Sequence, residues 1–185
     1  PSDIHFLVPD NQDNTELKTK LKGYSFNIFT GDEDDVLSRF YYCNCENSYN
    51  IIVRLTADNI FLNPELIIAK IELFSKLNLD YYSNYNSDSF PLGDTFEIIT
   101  SNALKFSFKN AKLTSDKEHV TSFIKRSVNA KKLIEHSDNH HQLSLSLDTY
   151  DDFILINRVY NYLKINKLEN TVDNLNKAIN ECKIK

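Results

Sequence analysis

Apolar runs typical of buried strands alternate with helical patterns over roughly the first 80 residues of the chain. The runs lie at residues 4–8, 24–29 and 51–55. Helix-forming stretches follow them at residues 15–22, 36–41 and 64–74. Asn63-Pro64 supplies an N-cap and a proline at the first position of the third helix. This alternation predicts an α/β fold with a mainly parallel sheet, right-handed crossovers and helices on both faces.

The second half of the chain is less regular. Strands are predicted at residues 80–83 and 95–99, and helices at 102–110 and 117–126. The sequence LSLSL at 143–147 alternates with period 2, which is typical of a strand covered on one face. Because the chain has no internal repeat and no low-complexity linker, residues 1–185 are predicted to form a single domain.

Two amphipathic helices are predicted to close the chain. Thr149 and Asp152 have the spacing of a capping box at the start of the first helix. Its predicted apolar stripe is Phe153, Ile156, Val159, Tyr160 and Leu163. The second helix carries Val172, Leu175, Ile179 and Cys182 on one side.

Composition narrows the class of protein. The chain has 185 residues, 41% of them hydrophobic, and a net charge of −5, which describes a globular domain able to bury a core of its own. The acidic balance argues against a nucleic-acid binder, and no apolar run approaches the ~20 residues of a membrane span. Three cysteines without a CxxC pair favour a reducing cytoplasm. The chain starts at Pro1 and has no methionine, so we expect the domain to be N-terminally incomplete.

Two aspartates follow predicted strands, where ligands bind in open α/β sheets. Asp58 comes after the run at 51–55, and Asp148 comes after the run at 143–147. If those strands are parallel neighbours, both carboxylates lie at one edge of the sheet. Mg²⁺ is usually held by one or two carboxylates together with substrate phosphates, so this edge is a candidate metal site. The structural alternative is that Asp58 belongs to a turn and Asp148 to a helix start.

Other polar clusters have simpler explanations. The acidic run Asp32 to Asp35 is interpreted as the first turn of a helix, where the helix dipole favours negative charge. A helix start at Ser115 explains Asp116 and Glu118 in the same way, which leaves His119 without a structural role.

Several segments together resemble the cytidylyltransferases of the spore-coat polysaccharide biosynthesis type, relatives of the acylneuraminate and Kdo cytidylyltransferases. The segments are GDEDDVLSRF (31–40), VRLTAD (53–58), YSN (82–84), PLG (91–93) leading to Glu97, SDKEHVT (115–121) and LDTYDDF (147–153). The resemblance implies a three-layer, Rossmann-like nucleotide-diphospho-sugar transferase fold. It also implies an enzyme that transfers CMP from CTP to a sugar and releases pyrophosphate.

The resemblance also implies roles for individual residues. Asp58 and Asp148 match the family's aspartates that hold Mg²⁺ on the triphosphate. Arg54 or Thr56 is expected to support the nucleotide. The positions expected to face the sugar or the partner subunit of a homodimer are Asn84, Glu97 and His119.

The chain departs from the family pattern in two places. The run at 4–8 matches the family's second strand, so the first strand and the loop that binds the nucleotide phosphates have no counterpart. Ala57, Asn59 and Ile60 replace the Gly, Cys and Pro usually found around the first aspartate, and Tyr150 replaces a Pro.

The leading hypothesis is therefore a cytoplasmic, Mg²⁺-dependent enzyme whose partners are CTP and a sugar, with no nucleic acid and no membrane. A sugar hydroxyl would attack the α-phosphorus in line. Two alternatives stay open: a metal-dependent glycosyltransferase on the same fold, and a non-catalytic module that acts in binding or assembly.

Overall fold

Strands and helices alternate as predicted through the first half of the computed structural model, which describes residues 3–84, 95–135 and 145–183. The strands are β1 (His5–Pro9), β2 (Asn27–Gly31), β3 (Ile51–Arg54), β4 (Tyr81–Ser83), β5 (Glu97–Thr100) and β6 (Lys132–Ile134). The helices are α1 (Thr15–Gly23), α2 (Val36–Asn47), α3 (Pro64–Lys76), α4 (Ser101–Asn110), α5 (Thr114–Glu118), α6 (Ser122–Arg126), α7 (Tyr150–Ile165) and α8 (Val172–Lys183). The strand β6 was not predicted from the sequence.

The strands form two sheets. β1 and β2 pair in parallel, with His5 beside Asn27 and Pro9 beside Gly31. The second sheet has the order β3-β5-β4-β6, and β4 runs parallel to β6. Parallel neighbours require crossover connections, which α1 provides between β1 and β2. The predicted mixed α/β class is confirmed.

The backbone divides into two compact units. The first unit comprises Pro1–Ile52 and Ile99–Ala130, and the second comprises Val53–Ile98 and Lys131–Lys185. The first contains β1, β2 and the helices α1, α2, α4, α5 and α6. In this unit, Leu37 and Cys43 on α2 and Leu104 on α4 are buried, whereas Cys45 is exposed, as expected for residues two apart on a helix.

The single helix predicted over 117–126 is wrong. The chain forms α5 and α6 instead, because Val120 between them adopts a φ of 57°, in the left-handed region where an α-helix cannot continue. The carboxylate of Asp116 is fully buried, and both of its oxygens accept hydrogen bonds from the guanidinium of Arg126. This ion pair ties α5 to α6 across the break.

The acidic run before α2 also differs from the interpretation given above. Its residues precede the helix and do not form the first turn. The carboxylate of Asp35 is the N-cap and accepts from the backbone N–H of Ser38 at 2.9 Å, while Asp32 accepts from the N–H groups of Asp34 and Asp35. The run therefore shapes the turn into the helix through side-chain caps.

The second unit has its main apolar cluster where α7 and α8 pack together. Ile156, Val159 and Leu163 are buried there as predicted, against Leu175 and Ile179 of α8. Phe153 and Tyr160, which were predicted to share the stripe, are 49% and 53% exposed, so the buried face of α7 is narrower than predicted. Within the described residues, no helix is long and apolar enough to cross a membrane.

The contribution of the capping box at the start of α7 to the stability of the protein can be tested directly. The Thr149 side chain accepts from the N–H of Asp152, whose carboxylate accepts from the N–H of Thr149. Thr149→Ala should lower the free energy of unfolding by about 1 kcal/mol, as measured by urea denaturation, because it leaves helix N–H groups without an acceptor. Thr149→Ser keeps the acceptor and should retain most of the stability. Equal losses in the two variants would show that the cap contributes nothing.

Candidate active site

Asp58 lies in a tight turn directly after β3. The turn runs from Thr56 to Asn59 and is closed by a hydrogen bond from the N–H of Asn59 to the carbonyl of Thr56, 3.1 Å long. Asp58 is a central residue of this turn, and its side chain is half-buried. The sequence placed Asp58 correctly at a strand end, and the turn is also the local structure that favours aspartate.

An antiparallel bridge brings the segment before α7 against this turn. Ser146 pairs with Asn59, and the N–H of Leu147 donates to the carbonyl of Asp58 at 3.0 Å. Asp148 follows Leu147 directly, is exposed, and donates its N–H to the carboxylate of Asp152 at 3.3 Å. The two predicted metal ligands therefore flank one bridge. The condition that their strands are parallel neighbours is not met in the described residues, where β3 pairs with β5 and residues 145–147 make a single antiparallel bridge, to Asn59.

The surroundings of the Asp58 carboxylate favour its ionised form. Burial alone would raise the pKa of Asp58, but hydrogen bonds from the hydroxyls of Thr56 and Ser146 and the positive charge of Arg54 lower it below its ordinary value. The Ser146 hydroxyl donates to Oδ2 at 3.0 Å. The other oxygen, Oδ1, is buried and accepts no hydrogen bond of normal geometry from the described residues.

This donor set fits a hard divalent cation. Mg²⁺ prefers carboxylate oxygens and keeps several waters and substrate phosphates as its remaining ligands, so it does not need a cage of protein side chains. A buried, ionised oxygen without a hydrogen-bond donor is suited to a cation, since a buried charge otherwise stays uncompensated. No group of three or more His, Cys, Asp or Glu side chains that could hold a metal occurs in the described part of the chain.

A second polar network lies at the start of β5. Glu97 is 4% exposed, and its Oε2 accepts from the Nη1 of Arg54, at the end of β3, over 2.6 Å. Its Oε1 accepts from the hydroxyl of Tyr81, which is fully buried in β4. Two of the predicted site residues, Arg54 and Glu97, are thus bound to each other. The Arg54 side chain keeps 21% of its surface exposed.

Of the remaining predicted residues, Thr56 contacts Asp58 as described above, whereas Asn84 and His119 lie in other segments. Asn84 is buried after β4, and its side-chain oxygen accepts from the N–H of Phe96 at 2.8 Å. The hydroxyl of Thr56 accepts from the side-chain amide of Asn59 at 2.8 Å. His119 is exposed at the C-terminal end of α5, in the first unit. The quoted PLG segment at 91–93 lies outside the described residues.

Sequence reasoning missed Ser146 and Tyr81, and it noted Asn59 only as a departure from the family pattern. A signal for Ser146 was present, because the strand-like alternation at 143–147 puts Ser146 two positions before the candidate ligand Asp148. No comparable signal marked Tyr81, whose partner is 16 residues away in sequence.

A sequence profile of a family described as cytidylyltransferase matches residues 8–180, which is nearly the whole chain. The chain belongs to the cytidylyltransferase family. The segments quoted above, from residue 31 to residue 153, all lie within the matched residues.

Two relatives of this cytidylyltransferase chain are longer proteins. It is 37% identical over 145 residues to the uncharacterized protein MJ1063 of Methanocaldococcus jannaschii, covering 76% of this chain and 56% of that protein. It is 29% identical over 156 residues to the spore coat polysaccharide biosynthesis protein SpsF of Bacillus subtilis, covering 82% of this chain and 64% of that protein. The chain thus spans less than two thirds of either relative.

A solved cytidylyltransferase from Leptospira borgpetersenii has the same fold. The TM-score is 0.85 at 18% sequence identity, over 96% of this chain and 75% of that one. The Rossmann-like class expected from the sequence is therefore confirmed.

Removing the Ser146 hydroxyl should change the titration of Asp58. Ser146→Ala removes a donor to the ionised carboxylate, so the pKa of Asp58 should rise toward its ordinary value, as followed by ¹³C NMR of the carboxyl carbon without metal. Asp58 ionisation stabilises the fold above its unfolded pKa, roughly 4, and this stabilisation is lost as the pH falls through the lower folded pKa. Ser146→Ala should narrow that pH window. An unchanged pKa would contradict the assigned hydrogen bond.

The Arg54–Glu97 pair should be energetically coupled. Arg54→Met leaves the buried carboxylate of Glu97 without its cation and should lower the free energy of unfolding by about 3 kcal/mol. The double variant Arg54→Met/Glu97→Gln removes the stranded charge and keeps an acceptor for Tyr81, so it should be more stable than Arg54→Met alone. Denaturant unfolding of both variants and of Glu97→Gln completes the cycle. Additive losses would mean that the pair is uncoupled.

Proposed function

We propose that this chain is the greater part of a Mg²⁺-dependent cytidylyltransferase that transfers CMP from CTP to a sugar in polysaccharide biosynthesis. The family match supports the reaction class, and the name of the SpsF relative supports the pathway. The observation that carries the proposal is the buried, unpartnered Oδ1 of the ionised Asp58 carboxylate at the end of β3.

Each side chain has a proposed task. Asp58 and Asp148 would hold Mg²⁺, which supplies neutralisation of the negative charge on the triphosphate. The exposed part of the Arg54 guanidinium would bind a phosphate, and Thr56 would support the nucleotide beside Asp58. The sugar hydroxyl oxygen forms a bond to the α-phosphorus and releases its proton to solvent, the bond from that phosphorus to the oxygen bridging to the β-phosphorus breaks, and pyrophosphate leaves. The protein contributes positioning and electrostatic stabilisation.

Asn84, Glu97 and His119 are proposed to serve the sugar or the partner subunit of a homodimer. Both carboxylate oxygens of Glu97 accept hydrogen bonds from Arg54 and Tyr81. We therefore propose that Glu97 acts through Arg54, as a positioning residue. The three cysteines without a CxxC pair support a reducing, cytoplasmic setting.

The family match does not favour a glycosyltransferase or a non-catalytic module. A glycosyltransferase would release a nucleoside diphosphate, whereas the proposed reaction releases pyrophosphate.

The proposal is tested by charge-removing variants of the full-length protein. Asp58→Asn and Asp148→Asn should each lower CTP-dependent pyrophosphate release by on the order of 100-fold or more, because each removes a negative ligand from the metal. Asp151→Asn is the matched control: Asp151 is an exposed carboxylate in the first turn of α7 and should be dispensable. Full activity in Asp58→Asn would remove the central claim.

A further inference from the structure

Asn59 has the most heavily engaged side chain in the turn that carries Asp58. It is 9% exposed, and its amide nitrogen contacts three acceptors. These are the Thr56 hydroxyl at 2.8 Å, the Thr95 carbonyl at 2.9 Å and the Thr95 hydroxyl at 3.1 Å. The side-chain amide has two N–H groups, so one can bind the Thr56 hydroxyl at the start of the turn while the other binds Thr95, which lies shortly before β5.

No glycine or proline restricts the backbone of this turn. Thr56, Ala57, Asp58 and Asn59 include neither a glycine nor a proline, so no residue favours the turn conformation through unusual or restricted φ angles. The side-chain amide of Asn59 supplies the missing constraint. It fixes the first residue of the turn through Thr56 and anchors the last residue to the Thr95 segment.

The backbone of Asn59 adds a second constraint on Asp58. Asn59 is the residue that bridges Ser146, whose hydroxyl contacts Oδ2 of Asp58. A shift of Asn59 would therefore move the bridge, the Ser146 hydroxyl and the Leu147 N–H that donates to the Asp58 carbonyl. Ligand-orienting side chains of this kind act on a metal through the ligand they hold.

We propose that Asn59 is the positioning residue for the Asp58 carboxylate, and that its amide fixes the direction in which Oδ1 meets a divalent cation. This inference rests on the proposed function only for the identity of the cation. The geometric part concerns the turn itself and holds for this chain whether or not CTP is the substrate.

The test compares Asn59→Ala with Asn170→Ala in the full chain. Asn170 is a matched control, because its amide also donates to buried-loop carbonyls in the second unit, those of Phe61 at 2.7 Å and Leu62 at 3.2 Å. Asn59→Ala should weaken binding of Mn²⁺ in the presence of CTP by about 10- to 100-fold, as measured by electron paramagnetic resonance. It should also speed hydrogen exchange at the N–H of Leu147. Asn170→Ala should change neither.

If Asn59 only positions Asp58, a higher Mg²⁺ concentration should restore the activity of an Asn59 variant. Raising Mg²⁺ should restore pyrophosphate release in Asn59→Ala, because the ligand Asp58 is still present, but not in Asp58→Asn. Should Asn59→Ala fail to fold, Asn59→Ser replaces two donors by one and should show a smaller shift in the same directions.

Three outcomes would overturn or redirect the inference. Wild-type values for Mn²⁺ binding and Leu147 exchange in Asn59→Ala overturn it, as do equal losses in Asn59→Ala and Asn170→Ala, which indicate general destabilisation. If the wild-type protein itself binds no Mn²⁺ with CTP, the proposed function fails instead. The Leu147 exchange rate then decides the role of Asn59 alone.

Discussion

The antiparallel bridge between Asn59 and Ser146 is the contact on which the geometry of the candidate site depends. It joins two segments that are distant in sequence. Beside the bridge, the Ser146 hydroxyl binds Asp58, which is 88 residues away along the chain. Without it, a half-buried aspartate at a strand end would turn toward solvent, because burial of a carboxylate without donors is unfavourable. With it, Oδ2 of Asp58 accepts a hydrogen bond from the Ser146 hydroxyl. Leu147, which donates to the Asp58 carbonyl, directly precedes Asp148 in the sequence.

Buried charges in both units are compensated locally. In the second unit, the carboxylate of Glu97 binds Arg54 and Tyr81, and in the first unit the carboxylate of Asp116 binds Arg126. Arg39 is a different case, since the residue is 6% exposed and its guanidinium donates to the carbonyl of Leu7 at 2.8 Å. Burial lowers the pKa of Arg39, while nearby Asp32 and Glu33 oppose that shift. These pairings restrict how the segments fit together more than they add stability.

The turn around Asp58 is held by side-chain bonds in addition to its backbone bond. It contains neither glycine nor proline, and the side-chain amide of Asn59 donates to the Thr56 hydroxyl and to the Thr95 carbonyl. The rigidity of the turn comes from side-chain bonds to Thr56 and Thr95. These side-chain hydrogen bonds therefore take the place of backbone restriction in fixing the position of the Asp58 carboxylate.

Local patterns predicted the elements well. The cap at Asn63, the capping box at Thr149 and the buried positions of α7 at Ile156, Val159 and Leu163 are present as expected, because caps and helix periodicity act within a few residues. The break at Val120 was not predictable, since a positive φ at a β-branched residue is held by surrounding structure.

The sequence by itself determined the α/β class, the family and the place of Asp58 at the end of β3, because these follow from periodicity and from short motifs. Only the tertiary structure decided that the segment at Ser146 runs antiparallel to the Asp58 turn, that Glu97 binds Arg54 and Tyr81, and that the Asn59 amide binds Thr95. Those contacts join residues far apart along the chain, and their partners depend on how strands are ordered in the sheet, which local patterns do not encode.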